Sequence, residues 1–194
     1  MSKHAEMTIR TRQNLIEAFW NLISQSSLNK ITVSSITKEA GYNRGTFYEY
    51  FKDIPDLLEQ IENEMIEELT KQVHEKFNHR LPFDLQILSR ECAIILGRFD
   101  DKLFLLLNEN GDPSFSARFK EKFMHEIMNF FDFGENDRYK DYIIAYCYSA
   151  LIGIRLHWCK SGKEISFEEI VYITQTLITS GVFGLTDKKN TMIS

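Results

Sequence analysis

Cysteine is scarce in this chain: Cys92, Cys147 and Cys159 are the three in 194 residues. The number is odd and no CxxC pair occurs, so a disulfide framework or a zinc site is not expected. Free thiols in a reducing compartment are. Cys159 stands two residues from His157, and on a helix such positions point about 200° apart, which does not suit a shared metal. Proline and glycine are also few, at three and nine. A chain with so few breakers and many Leu, Ile, Lys and Glu is expected to be all-helical. No apolar run approaches the ~18 residues of a membrane span. Met1 to Arg12 is polar and lacks an apolar signal core. A cytoplasmic location with no membrane partner is expected. A phosphate-cradling glycine loop, an HExxH and a nucleophile elbow are all missing. The residues therefore give no support to an enzyme, and no catalytic residue, cofactor or metal is expected.

What is present is an ordinary globular composition, 43% hydrophobic and 26% charged, in which the charge is unevenly spread. The net charge is −5. Residues 1–53 hold seven Lys/Arg against five Asp/Glu, a net of +2; residues 54–194 hold sixteen against twenty-three, a net of −7. The small basic excess thus lies in the first quarter of the chain, where a nucleic acid would be met if one is bound.

That quarter contains the most specific pattern. Helix 1 is expected from about Thr8 to Gln25, with Leu15, Ile16, Phe19, Leu22 and Ile23 forming one apolar stripe. Thr32 suits an N-cap, and Val33, Ile36 and Ala40 form the inner face of helix 2. Gly41 ends that helix, and Asn43 caps helix 3, expected from Arg44 to about Phe51. Phe47 and Phe51, four apart, point inward together. That choice turns Arg44, Thr46 and Tyr48 outward. Two short helices across a tight turn, the second with an outward polar face, are the layout of a helix-turn-helix that enters the DNA major groove.

Each outward residue has a matching chemistry. Arg44 can make a bidentate bond to guanine, and Gly45 lets backbone approach closely. Thr46 and Tyr48 offer hydroxyls to phosphate, and Lys52 offers a cation just before helix 4. Thr32 can cap and touch phosphate together, and Tyr42, in the turn, can reach a base or the backbone. Tyr50 can pack on helix 1 or face the groove. Glu49 faces outward and repels phosphate, but could accept from a cytosine.

Helix 4 starts near Ile54-Pro55. Leu57, Leu58, Ile61, Met65, Leu69, Val73 and Phe77 make a stripe roughly 35 Å long, enough to connect two domains. Beyond Arg80-Leu81-Pro82, helices are expected at about 84–99, 101–108, 115–131 and 137–161. A ninth is capped by Ser166 with Glu169 three residues on. Residues 186–194 read as a polar disordered tail.

The segment Gly41-Tyr42-Asn43-Arg44-Gly45-Thr46-Phe47-Tyr48-Glu49-Tyr50-Phe51-Lys52-Asp53, followed by an amphipathic helix, resembles the TetR family of bacterial transcriptional regulators. The resemblance is strong over about residues 8–65 and weaker over the rest. It implies an all-α fold of about nine helices: a DNA-binding domain at 1–53 and an effector-binding and dimerisation domain at 54–185. It assigns phosphate contact to Thr32, Tyr48 and Lys52. It also implies a homodimer on a double-stranded, palindromic operator, with an unidentified small-molecule effector that releases a repressor from DNA. Heads must sit about 34–36 Å apart to reach successive major grooves, so a shift of a few ångströms suffices. The chain departs from the family pattern at Tyr42 and Asn43. Lys3, Arg10 and Arg12 are the basic residues with which an N-terminal arm could add a minor-groove contact.

Small residues at helical spacing in helix 8 (Ala145, Ser149, Ala150, Gly153) allow close helix approach. With Ile170, Ile173, Thr174, Leu177, Ile178 and Gly181 of helix 9 they serve either intrachain packing or, by the resemblance, a four-helix dimer interface. Pocket candidates are the apolar Phe99, Phe104, Leu107, Phe123, Tyr146 and Trp158 and the polar Arg98, His125 and His157, no one of which stands out. The alternative to an effector-released repressor is a co-regulator of the same fold that acts through protein partners with no small ligand.

Overall fold

The structure, a computed structural model, describes residues 3–77, 85–108, 111–128 and 138–181. Among these it is all-helical. Nine α-helices run in order: α1 (Lys3–Gln25), α2 (Val33–Ala40), α3 (Arg44–Tyr48), α4 (Ile54–Phe77), α5 (Leu85–Gly97), α6 (Asp100–Leu107), α7 (Pro113–Met128), α8 (Lys140–Lys160) and α9 (Phe167–Ser180). A 3₁₀ turn at Leu28–Lys30 joins α1 to α2. The expected helix ends at Asp84, Phe131 and Asp137 and the tail 186–194 lie outside the described residues. None of the described helices is long and apolar enough to cross a membrane.

Several helix limits differ from expectation for local reasons. α1 begins at Lys3, not Thr8, because no breaker precedes Thr8 and Glu6 in the first turn complements the helix dipole. α3 is shorter, ending at Tyr48 with Glu49 as its C-cap. The Phe51 amide still donates to the Phe47 carbonyl at 3.0 Å, so the turn stays tight. α7 starts at Pro113, where a proline's missing N–H costs nothing.

The chain divides into two compact units. The first, the head, holds residues 3–65 together with 105–108 and 111–115. Its core is Leu15, Ile16, Phe19, Ile23, Ile36, Phe47, Phe51, Leu57 and Ile61, all buried. The second, the body, holds residues 66–77, 85–104, 116–128 and 138–181. The α4 stripe runs buried through both, from Leu57 to Phe77.

In the body α5 and α9 pack closely, and one position shows how closely. A Cβ on Gly97 would lie 2.2 Å from the Phe167 ring, so only glycine fits without movement. Beside it sits a buried charge pair. Arg155 Nη1 of α8 donates to Asp100 Oδ1 and Oδ2 of α6 at 2.8 and 2.7 Å, and Nη2 donates to the Ala93 carbonyl of α5. Burial pushes the Asp100 carboxyl up and the Arg155 guanidinium down, and each opposes the shift of the other. Phe119 and Phe123 stack at 5.2 Å in the interior. Burial also pushes the Cys92 thiol up to about 12, which makes it inert rather than reactive.

Candidate nucleic-acid interface

Thr32 has extended backbone and caps α2. Its hydroxyl oxygen accepts from the Ser35 amide at 3.1 Å, and the Ser35 hydroxyl oxygen accepts from the Thr32 amide at 3.0 Å. The reciprocal pair satisfies two amides that a helix start leaves free. Thr32 is exposed. On the inner face Ile36 is fully buried, with Thr37 beside it. The Thr37 hydroxyl turns back to the Val33 carbonyl at 3.0 Å, so a polar residue sits in the core without a lost bond. α2 stops at Gly41, whose φ of 74° is the left-handed conformation that glycine adopts most readily.

Asn43 caps α3, its Oδ1 accepting from the Thr46 amide at 2.9 Å. Phe47 and Phe51 are buried, with ring centroids 5.4 Å apart. The outward row then follows as expected. Arg44 and Lys52 are exposed, and Tyr48 is 58% exposed with its ring edge-on to Phe47 at 5.6 Å. Gly45 is exposed as well, and it has a reason within the chain. A Cβ there would stand 3.0 Å from Asn43 Oδ1 and crowd the cap.

Two of the predicted contacts are less free than the rest. Thr46 is half-buried, and its hydroxyl lies 3.4 Å from Asn43 Oδ1. Tyr42 is half-buried, and its hydroxyl accepts from Asn14 Nδ2 of α1 at 2.9 Å. The row Arg44, Gly45, Tyr48 and Lys52 is accordingly the open edge, with Thr32 at the start of α2.

After α3 the chain turns sharply into α4. Asp53 Oδ1 accepts from the Asp56 amide at 2.8 Å, and Asp56 Oδ2 accepts from the Lys52 amide at 2.8 Å. The Lys52 amide holds the Asp56 carboxyl below its ordinary range. Gln60 Nε2 donates to the same carboxylate at 3.2 Å. Asp53 and Asp56 have the three-residue spacing of a cap, which the sequence reading passed over, and Gln60 meets Arg12 from another helix. Arg12, one of the basic residues with which an arm could add a contact, lies inside the regular helix α1 and reaches α4.

The residues named as pocket candidates differ in burial, and of them only His157 and Trp158 line the cleft described below. Phe123 is fully buried in the stack with Phe119, and Trp158 is buried, donating to the Ile165 carbonyl at 2.8 Å. Tyr146, His125, His157 and Arg98 are exposed, and Arg98 donates to Gln72 at 2.9 Å. Phe99, Phe104 and Leu107 are half-buried. Among the described residues an open cleft of about 450 Å³ lies between α8 and α9, lined by Gly153, Ile154, His157, Trp158 and Ile173 among others. The α9 stripe also divides. Ile170, Thr174 and Ile178 are buried within the chain, while Ile173 and Leu177 are half-buried.

The geometry of the head agrees with comparison to known proteins. The family described as bacterial regulatory proteins, tetR family, matches residues 15–61. A second, the transcriptional regulator C-terminal region of TetR type, matches residues 99–180. The chain belongs to the TetR family. The HTH-type transcriptional regulator BetI of Serratia proteamaculans is 33% identical over 90 residues, 46% of this chain and 44% of that protein. The chain therefore spans about half the length of the curated relatives it matches. Among solved structures, the fatty acid degradation regulator FadR of Bacillus halodurans superposes with a TM-score of 0.71 at 17% identity, over 89% of this chain and 96% of that one. FadR of Bacillus subtilis in complex with stearoyl-CoA gives 0.70 at 14% identity, over 88% and 98%. These likenesses share the fold. The matched families and relatives are transcription regulators, not enzymes.

Proposed function

We propose that this TetR-family chain is a repressor that binds a palindromic DNA operator as a homodimer and is released by a small-molecule effector. DNA contact falls to the first 53 residues, and effector binding and dimerisation to residues 54–185. The observation that carries the reading is the open edge of the head. Phe47 and Phe51 anchor α3, and that anchoring leaves Arg44, Gly45, Tyr48 and Lys52 facing outward beside the exposed Thr32. Arg44 reads a guanine, and Thr32, Tyr48 and Lys52 hold phosphates. Thr46 and Tyr42 contribute from the second rank, since each hydroxyl is shared with an intrachain partner. The work requires a cytoplasmic protein.

Dimerisation is supported by the outward face of α8. Tyr142 is 76% exposed, and Ile143, Tyr146, Ser149 and Gly153 are exposed with it. Gly153 stands in mid-helix with nothing within 4 Å of an added Cβ. A glycine there costs about 1 kcal/mol against alanine, and close approach of a second α8 is a reason to keep it. The α9 share of such an interface is Ile173, Leu177 and the exposed Tyr172. For the effector, the stearoyl-CoA held by Bacillus subtilis FadR makes long-chain acyl compounds the first class to test.

The test is binding of the purified protein to duplexes enriched from a random-sequence library, measured by fluorescence anisotropy against salt. Lys52→Ala should weaken binding to every duplex and flatten the salt slope by about one unit. Arg44→Ala should relax the preference at one base position, at about 1–3 kcal/mol. Absence of any salt-dependent binding would overturn the DNA-binding reading. Persistence of the complex with every acyl compound tried would shift the choice toward a co-regulator without a small ligand.

A further inference from the structure

We propose that Arg12 is a positioning residue for DNA recognition, a clasp that fixes the angle at which α3 is presented. The inference rests on the DNA-binding reading above and concerns residues within the head. Arg12 leaves the middle of α1 and meets α4 and the turn after α3 at once. Its guanidinium donates to the Glu64 carboxylate and, at 3.1 Å, to Gln60 Oε1, both on α4. It also lies over the Phe51 ring at 5.5 Å from the centroid, at the inner end of the turn that follows α3.

The contacts continue from there. Gln60, held by Arg12 through its oxygen, turns its amide nitrogen to Asp56 at 3.2 Å and toward the Tyr50 carbonyl at 3.5 Å. Asp56 holds the Lys52 amide at 2.8 Å. The path Arg12–Gln60–Asp56 thus ends on the backbone of Lys52, one of the proposed phosphate contacts. It lies three to four residues beyond the end of α3. A guanidinium suits this place because its planar fork serves two acceptors while its face rests on an aromatic ring. A lysine ammonium keeps the charge but not that geometry. The Arg12 guanidinium is thus engaged by its own chain.

The experiment compares wild type, Arg12→Lys, Arg12→Ala and the exchange Arg12→Glu with Glu64→Arg. Each binds a duplex enriched by the wild-type protein and an unrelated duplex of equal length, across a salt series. The clasp predicts that both single variants lose about tenfold on the enriched duplex, comparable to one lost base contact. They should keep the wild-type affinity for the unrelated duplex and the wild-type salt slope, since Lys52 keeps its charge, and the exchange, which restores the ion pair without the Gln60 and Phe51 contacts, should not recover the loss. Three results would overturn it. Arg12→Lys matching wild type while Arg12→Ala flattens the slope by about one unit makes Arg12 a phosphate contact. Equal weakening on both duplexes with a lowered unfolding temperature makes it a stability contact only. Wild type failing to bind either duplex at low salt removes the DNA-binding reading and the clasp together.

Discussion

The head and the body differ in the polar ties that shape them most, although the body also has the local Ser166–Glu169 cap and the head the longer-range Arg12 contacts. In the head the caps are local and exposed: Thr32 with Ser35, Asn43 with Thr46 and Asp53 with Asp56 are each three residues apart. In the body the strongest polar contact is buried and distant in sequence, since Arg155 meets Asp100 across 55 residues and Ala93 across 62. Local caps shape an edge that stays open to a large polar partner. A buried pair instead locks three helices, α5, α6 and α8, to one another. The first arrangement suits a surface that reads, and the second an interior that must hold a set geometry.

The contrast can be broken most forcefully in the body. Asp100→Leu alone should cost about 3–5 kcal/mol in urea unfolding, because it strands a buried guanidinium. Pairing it with Arg155→Met should recover most of that loss, since well-packed apolar residues can replace a buried ion pair. If the single variant is as stable as wild type, the pair does not lock the helices. Next in size is Gly97→Ala, where the new methyl meets the Phe167 ring at 2.2 Å. Overpacking of this kind costs about 1–3 kcal/mol, readable as a lower unfolding midpoint. The smallest stability effect belongs to the head. Asn43→Ala removes one exposed cap and should cost about 1 kcal/mol. It should nonetheless weaken DNA binding more than Asp100→Leu does when both are measured well below their unfolding temperatures. The reverse order would mean that the two regions do not divide the labour in this way.

The same difference in range explains what could be read from the amino acids. The caps at Thr32, Asn43 and Ser166, the stop at Gly41 and the inward pair Phe47 and Phe51 all follow from neighbours within four residues. Each stands in the structure as expected. The Arg155–Asp100 pair, the Gly97–Phe167 contact and the Arg12 clasp link residues 39 to 70 apart in sequence. No spacing rule announces such partners. Arg12 shows this, since nothing within four residues announces its partners on α4. Tyr42 is similar, since only the packing of α1 brings Asn14 to its hydroxyl. The pocket candidates are a different case, because spacing gives no way to rank them. Aromatic residues on a helix look alike whether they line a cavity or fill a core, and Phe123 fills the core.

The shortness of α3 has a consequence of its own. Five residues, Arg44–Tyr48, make less than two turns. Isolated helices shorter than about 12–15 residues are marginal in water. The segment proposed to face the base pairs therefore owes its shape to its anchorage, not to its own preference for the helix. A peptide cut from residues 32–53 should lie largely unwound and ignore DNA. Warming the intact protein should abolish sequence discrimination in the same narrow interval in which the head melts. Reading and folding are then one cooperative event, and the molecule has no half-formed state in which a weakened α3 still reads.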